Sequence, residues 1–315
     1  MSSPPKPVSV VVLTWNNFED TRECLVSLFG QDSISLDIVV VDNGSEDGSP
    51  ERIFNYIEKE FGFTPKQLKY RKTGGYEPVT ENNTNPNCDV LQNSCKSLTL
   101  IRNDRNYGFG AGCNVGIMHS LRNFAPEYVV VANNDTQAEK SLMNELVDFM
   151  DSDQSIGIAG PIIEWGADIS VSHAKRYLRA TSGGKAFETN ISGAFLILRA
   201  RALHQMGLFD EDYFLFFEET NLFKRCRTAG FRVVLAPTTS KVFHKSSISV
   251  KLMGNAALYH LGRSASIYLR KNHSFEFVSF FVSSVLRSVL LAGNVSGGLH
   301  LVKGIADGCM SGREQ

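Results

Sequence analysis

Continuous apolar runs alternate with helix-like stretches through the first 135 residues, and this alternation narrows the possible folds more than any other feature. The runs VSVVVLT, DIVVVD, LTLIRN and YVVVAN begin at residues 8, 37, 98 and 128. Runs without polar alternation are typical of strands that are buried on both faces of a parallel sheet. The pattern therefore predicts an α/β protein whose mostly parallel sheet is covered by helices on both faces.

Helix-like stretches separate these runs at 20–29, 49–61 and 110–123. The polar, asparagine-rich residues 72–97 interrupt the rhythm, which predicts a surface insertion. The pattern is helical from Asn255 onward. Together these boundaries predict a main α/β domain over residues 1–255 and a helical extension over residues 256–315.

Composition and cysteine usage exclude several classes of protein. The formal net charge of −1 leaves no bulk basic field for nucleic acid. The six cysteines form no CxxC pair, which argues against zinc and thioredoxin-type sites and fits a reducing compartment. The start of the chain lacks the features of a signal peptide. Its apolar run is therefore interpreted as the first strand, and a cytoplasmic location is expected.

One C-terminal stretch, SFEFVSFFVSSVLRSVLLAG at residues 274–293, raises the question of membrane contact. Glu276 and Arg287 within it argue against a spanning helix. A helix packed in the domain and a helix lying in the membrane interface both fit the pattern. The second alternative predicts peripheral contact with the cytoplasmic face of a membrane.

Four strands of the predicted sheet end in polar or glycine-rich residues, namely TWNN at 14–17, DNGS at 42–45, NYGFG at 106–110 and NND at 133–135. Ligands of open parallel sheets bind at the carboxyl ends of the strands, although Asn, Asp and Gly also dominate ordinary turns. No GxGxxG follows the first run, and no GK[ST] motif is present. A bound phosphate would therefore need another neutralising group, such as a metal ion.

Two groups of side chains are candidates for chemistry. Asp135 offers a hard oxygen ligand for Mg²⁺ or Mn²⁺ at a strand end, and His244 in VFHKSS is a candidate second ligand. Glu218 and Glu219 lie in the aromatic segment FFEET, where apolar surroundings would raise their proton affinity and suit a general base. The ordinary alternatives are a hydrogen-bonded surface histidine and acids that favour a helix N-terminus.

Eight segments, in their order along the chain, resemble the family-2 glycosyltransferases of GT-A fold, and within them the rhamnosyltransferase-like branch. They cover nearly the whole chain outside residues 72–97 and read SVVVLTWNN, IVVVDNGSEDGS, NYGFGAGCNVGI, VVANNDT, ISGAFLILRARAL, GLFDEDYFLFFEETNLFKRCRTAGFRVVLAP, VFHKSSIS and KGIADG. The resemblance implies the GT-A fold: a single Rossmann-like mixed sheet with helices on both faces, followed by C-terminal helices.

The resemblance also implies a role for each site. Glu219, with Glu218 beside it, would supply the catalytic base, and Asp135 with His244 would bind Mn²⁺ or Mg²⁺. The residues expected at the donor nucleotide are Thr14, Asn16, Asp42, Asn106, Gly108, Asn114 and Asn134. Those expected at the sugar and the acceptor are Gly193 and Ala194.

Two positions depart from the family pattern. The metal motif usually has acids at its first and last positions, whereas its first position here is Asn133. The acidic pair is usually Glu-Asp followed two residues later by Asp, whereas Glu218-Glu219 is followed by Asn221. These departures keep a second function open, which is a non-catalytic module that binds a nucleotide sugar or a glycan.

The reaction implied by the resemblance moves a sugar from a nucleotide-diphosphate donor to a hydroxyl of a glycan or lipid-linked acceptor, as in polysaccharide or cell-wall biosynthesis. Glu219 would take the proton of that hydroxyl, and one displacement would invert the anomeric centre, assisted by a divalent cation. A nucleotidyltransferase is less favoured, because no glycine-rich basic loop follows the first strand. The sugar, the base, the acceptor and the oligomeric state are left open.

Overall fold

The structure of the chain is a computed structural model that describes residues 6–32, 34–62, 64–78, 95–166, 187–188, 191–245, 253–273, 283 and 294–310. The helices are α1 (Phe18–Phe29), α2 (Ser49–Phe61), α3 (Phe109–Asn123), α4 (Leu142–Ser152), α5 (Ala200–Met206), α6 (Glu218–Thr228), α7 (Asn255–Asn272) and α8 (Val295–Met310). The strands are β1 (Val8–Thr14), β2 (Leu36–Asp42), β3 (Lys66–Arg71), β4 (Gly75–Pro78), β5 (Cys95–Asn103), β6 (Tyr128–Asn133), β7 (Thr136–Ala138), β8 (Ile156–Gly160), β9 (Ile162–Trp165), β10 (Phe187–Glu188), β11 (Phe195–Arg199), β12 (Arg232–Leu235) and β13 (Lys241–His244).

Within the described ranges, ten strands form one mixed sheet in the order β10-β12-β8-β11-β6-β1-β2-β5-β3-β4. Parallel pairing joins β6, β1, β2, β5 and β3, and β11 lies antiparallel between β6 and β8. The four predicted strands are confirmed. β1 and β6 have the predicted bounds, whereas β2 begins at Leu36 and β5 at Cys95.

Helices cover both faces of the central strands. Val10 and Val12 of β1 share one hydrophobic core with Leu25 and Leu28 of α1. The opposite face meets α3 so closely that a Cβ on Gly116 would overlap Val11. The polar residues at the carboxyl ends of the strands therefore follow strands that helices cover on both faces, as the continuous apolar runs predicted.

A second, three-stranded sheet in the order β7-β13-β9 was not foreseen from the sequence. β13 pairs antiparallel with β7 and parallel with β9, and His244 stands opposite Thr136 and Trp165. This small sheet connects the end of β6, where Asp135 lies, to the strand that ends at His244. It is the element that positions the predicted metal ligands.

Two predicted segments fall partly outside the described residues. Within 72–97, residues 75–78 form β4 against β3, Cys95 begins β5, and residues 79–94 lie outside the described ranges. Nearly all of the apolar stretch at 274–293 also lies outside them. Both interpretations stay predictions. None of the helices in the described part of the chain is long and apolar enough to cross a bilayer.

The chain divides into two compact units. The sheet unit comprises Met1–Tyr107, Gly112–Leu208 and Phe223–Ser246, and the helical unit comprises Gly108–Ala111, Phe209–Leu222 and Ser247–Gln315. In the helical unit, Leu261 and Ala265 of α7 pack with Leu301 of α8 and with buried Tyr213.

Glycines set the spacing of α7 and α8. A Cβ on Gly304 would overlap the carbonyl oxygen of Tyr259, and one on Gly308 would overlap that of Arg263. In the other direction, a Cβ on Gly262 would overlap the carbonyl oxygen of Leu301. The two helices are therefore in close backbone contact between Tyr259–Arg263 of α7 and Leu301–Gly308 of α8.

Candidate active site

The ends of β1 and β6 are joined by the side chain of Asn134. Its Nδ2 lies 3.3 Å from Thr14 Oγ1, 3.0 Å from Thr21 Oγ1 and 3.3 Å from the carbonyl oxygen of Asn17. Thr14 and Thr21 are themselves hydrogen-bonded at 2.8 Å. The amide nitrogen of Asn134 is thus engaged inside the protein. The structure brings Thr14 and Asn134 together, and it gives Asn134 a role in holding the strand ends.

Asp42, at the carboxyl end of β2, has an acceptor atom without a partner. The residue is only 2% exposed, and its Oδ1 makes no hydrogen bond in the described part of the chain. Burial raises the pKa of its carboxyl group, while hydrogen bonds from Ser45 oppose that shift. A buried acceptor left without a donor carries a cost of desolvation. An N–H group of a bound base would remove that cost.

Asn16 connects the first two strand ends. Its backbone N–H donates to Ser45 Oγ at 2.8 Å, and its side-chain oxygen accepts from the N–H of Glu46 at 2.8 Å. The residue has a φ of 50°, a left-handed conformation that Asn adopts more readily than most residues. Asn16 therefore shapes the loop after β1 against the loop after β2.

Asn43 holds a predicted site residue in place, although it was not among the residues predicted from the sequence. Its Nδ2 donates to Asn106 Oδ1 at 3.0 Å, and its Oδ1 accepts from Asn103 Nδ2 at 3.0 Å and from the N–H of Tyr107 at 3.1 Å. This one side-chain amide fixes Asn106, which is predicted to contact the nucleotide, relative to the end of β2. Asn43 follows Asp42 at a recognised strand end, but no sequence pattern states which distant residues an amide will contact.

Gly108 immediately precedes α3, and Asn114 lies within that helix. In the helical unit, Gly108 has a φ of 88°, and a Cβ there would overlap the carbonyl oxygen of Phe214. Only glycine meets both demands without strain. In the sheet unit, Asn114 is buried. The predicted contacts of both residues with a nucleotide stay predictions.

Asp135 and His244 lie side by side in the sheet unit. His244 Nε2 is 3.0 Å from Asp135 Oδ1, and both side chains are buried. Despite this short distance, neither ring nitrogen of His244 has a hydrogen-bond partner with acceptable geometry in the described residues. The N–H of Lys245 donates to the carbonyl oxygen of Asp135 at 3.0 Å, and this backbone bond holds the two chain segments together.

This arrangement fits two ligands of one metal ion. Neighbouring ligands of an octahedral ion at about 2.1 Å are separated by about 3.0 Å, and such ligands point at the ion instead of at each other. Carboxylate oxygens suit Mg²⁺ and Mn²⁺, whereas imidazole nitrogen suits transition metals more generally. Among the described residues, no group of three or more His, Cys, Asp and Glu side chains could hold a metal by itself. A metal at this pair would need further ligands, such as water molecules or substrate phosphates.

Gly193 and Ala194 stand beside the first position of the predicted metal motif. The N–H of Asn133 donates to the carbonyl oxygen of Ala194 at 2.8 Å. The side-chain Oδ1 of Asn133 is buried and has no partner within the described ranges. The predicted sugar-contacting residues and the predicted metal motif are therefore neighbours at the end of β6.

Glu218 and Glu219 open α6 in the helical unit. Glu218 is buried, and its Oε2 has no hydrogen-bond partner among the described residues. Burial, followed by the neighbouring charge of Glu219, raises the pKa of Glu218 well above its ordinary value. Burial also raises the pKa of Glu219, which stays partly exposed, and backbone N–H groups of the helix N-terminus oppose the shift. The accessible carboxylate of the pair is Glu219.

The two residues before this pair are strained. Phe216 and Phe217 both have a φ of 69°, in the left-handed region that bulky residues rarely occupy. Phe217 packs against Tyr268, with ring centroids 5.3 Å apart. Packing within the helical unit therefore stabilises the strained backbone that precedes the first turn of α6. Backbone strain of this kind clusters at functional sites.

Replacing Glu218 with glutamine is expected to raise the unfolding midpoint at pH 8. The folded state keeps the proton of Glu218 at pH values where the unfolded chain, with a glutamate pKa near 4.5, has released it. The free energy of unfolding therefore falls as pH rises from that value toward the raised folded pKa. Glutamine mimics the protonated acid and abolishes this loss, which urea unfolding at pH 5, 6.5 and 8 would measure.

The matched control for this prediction is Glu60→Gln on the exposed face of α2, which should leave the pH dependence of stability unchanged. Equal pH slopes for wild type and Glu218→Gln would contradict a protonated Glu218 in the folded state.

The structure thus groups the predicted residues into two sets. In the sheet unit, Thr14 stands opposite Asp42, Ser45 bonds both Asn16 and Asp42, and Asn43 bonds Asn106. The same unit places Asp135 against His244. The helical unit contains the two glutamates and Gly108.

Family comparisons agree with the resemblance stated from the sequence. The model of a family described as glycosyltransferase-like family 2 matches residues 78–254, and that of glycosyl transferase family 2 matches residues 9–76. The first match alone spans more than half of the chain.

Two curated relatives are rhamnosyltransferases by name. The chain is 25% identical over 217 residues to dTDP-rhamnosyl transferase RfbF of Shigella flexneri, covering 63% of this chain and 72% of the relative. It is 23% identical over 300 residues to N-acetylglucosaminyl-diphospho-decaprenol L-rhamnosyltransferase of Mycobacterium tuberculosis, covering 84% of each.

Solved structures share the fold. Mannosyltransferase PcManGT from Pyrobaculum calidifontis, in complex with GDP-Man and Mn²⁺, aligns with a TM-score of 0.58 at 18% identity over 96% of this chain and 81% of that one. Residues 1–349 of S. aureus TarS, in complex with UDP-GlcNAc, align with a TM-score of 0.54 at 15% identity over 83% of this chain and 66% of that one. With the mixed sheet and its covering helices, these matches confirm the GT-A fold, and the chain belongs to the family-2 glycosyltransferases and is a sugar-transferring enzyme.

Proposed function

We propose that this enzyme transfers rhamnose from dTDP-rhamnose to a hydroxyl of a lipid-linked saccharide, with inversion and with the help of a divalent cation. The observation that carries the proposal is the pair Asp135–His244, which is buried, 3.0 Å apart and not mutually hydrogen-bonded. The choice of rhamnose and of a lipid-linked acceptor is supported by the names of the two curated relatives.

The donor nucleotide is assigned to the ends of β1 and β2. Asp42 offers its unpartnered Oδ1 to an N–H of the pyrimidine base, and burial makes that hydrogen bond stronger than it would be in water. Asn106, which Asn43 holds in place, is assigned to the diphosphate at the same carboxyl-end edge of the sheet. No GxGxxG follows β1 and the chain has no GK[ST] motif, so we assign the neutralisation of the phosphates to a cation at the end of β6.

Asp135 and His244 would hold the divalent cation, and substrate phosphates would complete its ligands. When bound, the cation supplies positive charge that stabilises the departing nucleoside diphosphate. His244 Nε2 would offer its lone pair to the cation, and it makes no hydrogen bond with any described residue.

Glu219 is assigned as the base. Its carboxylate accepts the proton of the acceptor hydroxyl while the oxygen forms a bond to the anomeric carbon. The bond between that carbon and the diphosphate oxygen breaks, and both of its electrons leave with the nucleoside diphosphate. Attack from the opposite face inverts the anomeric centre. A pKa raised by burial makes Glu219 a stronger base near neutral pH than an exposed glutamate.

A thermal-shift experiment tests the nucleotide and metal site. We expect dTDP with Mn²⁺ to raise the unfolding temperature of the wild type, because a ligand at about 100 times its Kd stabilises the folded state by about 2.7 kcal/mol. Asp135→Asn should lose the Mn²⁺-dependent part of that rise and keep the smaller rise caused by dTDP alone. The same samples, given dTDP-rhamnose and a lipid-linked acceptor, should release dTDP only when Asp135 is intact.

The matched control is Asp148→Asn, which removes one exposed carboxylate from α4 and should behave as the wild type. A Mn²⁺-dependent shift that persists in Asp135→Asn would refute the assignment of the metal. Binding of dTDP-rhamnose without turnover on any lipid-linked acceptor would favour a binding module.

A further inference from the structure

A cavity of about 340 Å³ lies in the sheet unit, at the amino ends of β2, β3 and β5 and beside the last turns of α3. The side chains used below come from three strands and one helix: Asp37, Lys66, Lys96, Ser97, Thr99 and His119. Asp42 lies five residues farther along β2, which corresponds to roughly 16 Å. The cavity is therefore separate from the nucleotide site at the carboxyl ends of the strands.

Strand register explains why these side chains meet. Asp37 stands opposite Ser97, and Lys66 stands opposite Thr99. Since side chains alternate along a strand, Ser97 and Thr99 point to the same face, and their partners point with them. Helix α3 packs on this face of the sheet. It therefore covers the polar side chains at the amino ends of the strands.

His119 is buried and held in one orientation. Its ring makes edge contacts with Tyr76 and Phe124, with centroids 5.5 and 5.6 Å away. Its Nδ1 lies 3.3 Å from Asn123 Nδ2, an amide donor, so Nδ1 accepts and Nε2 bears the hydrogen. That Nε2 is buried and has no hydrogen-bond partner in the described residues. It is a donor without an acceptor, on a residue that lines the cavity.

Lys66 supplies an unpaired positive charge to the same space. Its ammonium group forms no ion pair with a described residue, and its charge contributes, after burial, to lowering the pKa of His119 to about 4. His119 is accordingly neutral near pH 7. The one carboxylate of the cavity, on Asp37, is already occupied by Ser97 Oγ at 2.5 Å and faces Lys96 Nζ at 3.5 Å.

We propose that this cavity is a second ligand site that binds a small phosphomonoester of about the size of a sugar phosphate. The ammonium of Lys66, the Nε2–H of His119 and the hydroxyl of Thr99 are donors from three elements, and a phosphate has three terminal oxygens to accept them. The Asp37–Ser97 pair offers acceptor capacity for a sugar hydroxyl. The volume is at the small end of ligand pockets, which excludes a nucleotide sugar.

Calorimetric titration tests the site. The probes are inorganic phosphate, glucose 6-phosphate and acetate, each added to protein that is saturated with dTDP and Mg²⁺ so that the donor site is filled. We expect one molecule of glucose 6-phosphate to bind per chain. Loss of one charge-assisted hydrogen bond in Lys66→Met should weaken that binding about tenfold or more. The ¹⁵N shift of His119 Nε2 should move with phosphate in the wild type.

The matched control is Lys69→Met, which removes the same charge from the opposite face of β3 and should bind as the wild type. Equal affinities for Lys66→Met and Lys69→Met would overturn the proposal, as would acetate binding as tightly as phosphate, or no binding of either phosphate probe. His119→Phe should also weaken binding. If that variant does not fold, the partly exposed Lys66 still decides the question, because its replacement leaves the core intact.

Discussion

Replacing Glu219 with glutamine is expected to lower the rate of sugar transfer by about 10²–10⁴-fold while leaving the Kd for dTDP unchanged. A positioned general base contributes about that factor, and glutamine keeps the shape of the side chain but cannot accept the proton. Donor binding is assigned to the sheet unit, whereas Glu219 lies in the helical unit. Single-turnover transfer and calorimetric dTDP binding, measured on the same preparation, would check both halves of the prediction.

The pH profile gives an independent readout of the same base. Because the pKa of Glu219 is raised above 4.5, wild-type activity should rise with pH along a limb that lies above that value, and Glu219→Gln should lose the limb. Glu60→Gln is the matched surface control. Glu218→Gln separates the members of the pair, since a loss of transfer larger than that of Glu219→Gln would assign the base to Glu218 instead.

Replacing Arg199 with methionine is expected to lower the free energy of unfolding of the sheet unit by about 3–5 kcal/mol. The side chain is 1% exposed, and Nε donates to the carbonyl oxygen of Ile156 at 2.8 Å. Its Nη2 donates to the carbonyl oxygens of Met150 at 2.5 Å and Asp153 at 3.2 Å. Methionine keeps much of the volume, but each buried carbonyl that loses its donor costs about 1–3 kcal/mol.

Arg201→Met is the control for this substitution, because Arg201 is exposed and, among the described residues, has one hydrogen bond, to the carbonyl oxygen of Gln154. Its cost should stay within about 0.5 kcal/mol. Urea unfolding curves of the two variants, followed by tryptophan fluorescence and circular dichroism, would measure the difference. A difference below about 1 kcal/mol would show that water replaces the guanidinium.

The large parallel core was predictable because its signal is local. β1 and β6 are continuous apolar runs whose length and ends were read directly from the sequence, whereas β2 and β5 begin one and three residues before the predicted runs. The small sheet was not predictable in this way. β7, β9 and β13 have three to four residues each, and β13 pairs with segments that lie about 105 and about 80 positions away in the sequence.

The site follows the same division. The residue types at the strand ends were read from the sequence, and the resemblance supplied their roles. The hydrogen bonds of Asn43 were not readable, because three partners from one distant segment, residues 103–107, converge on one amide. The positive φ angles of Phe216 and Phe217 could not be predicted either, because bulky aromatic residues normally have a negative φ. Tertiary packing decides both features.

The close approach of α7 and α8 limits how this enzyme can be recombined with its relatives. Gly262, Gly304 and Gly308 each face a main-chain carbonyl of the other helix, so neither helix tolerates a partner with a side chain at those positions. A chimera that exchanges only one of the two helices for a homologous segment would force the pair apart. Such chimeras should keep their structure only when both helices come from the same parent.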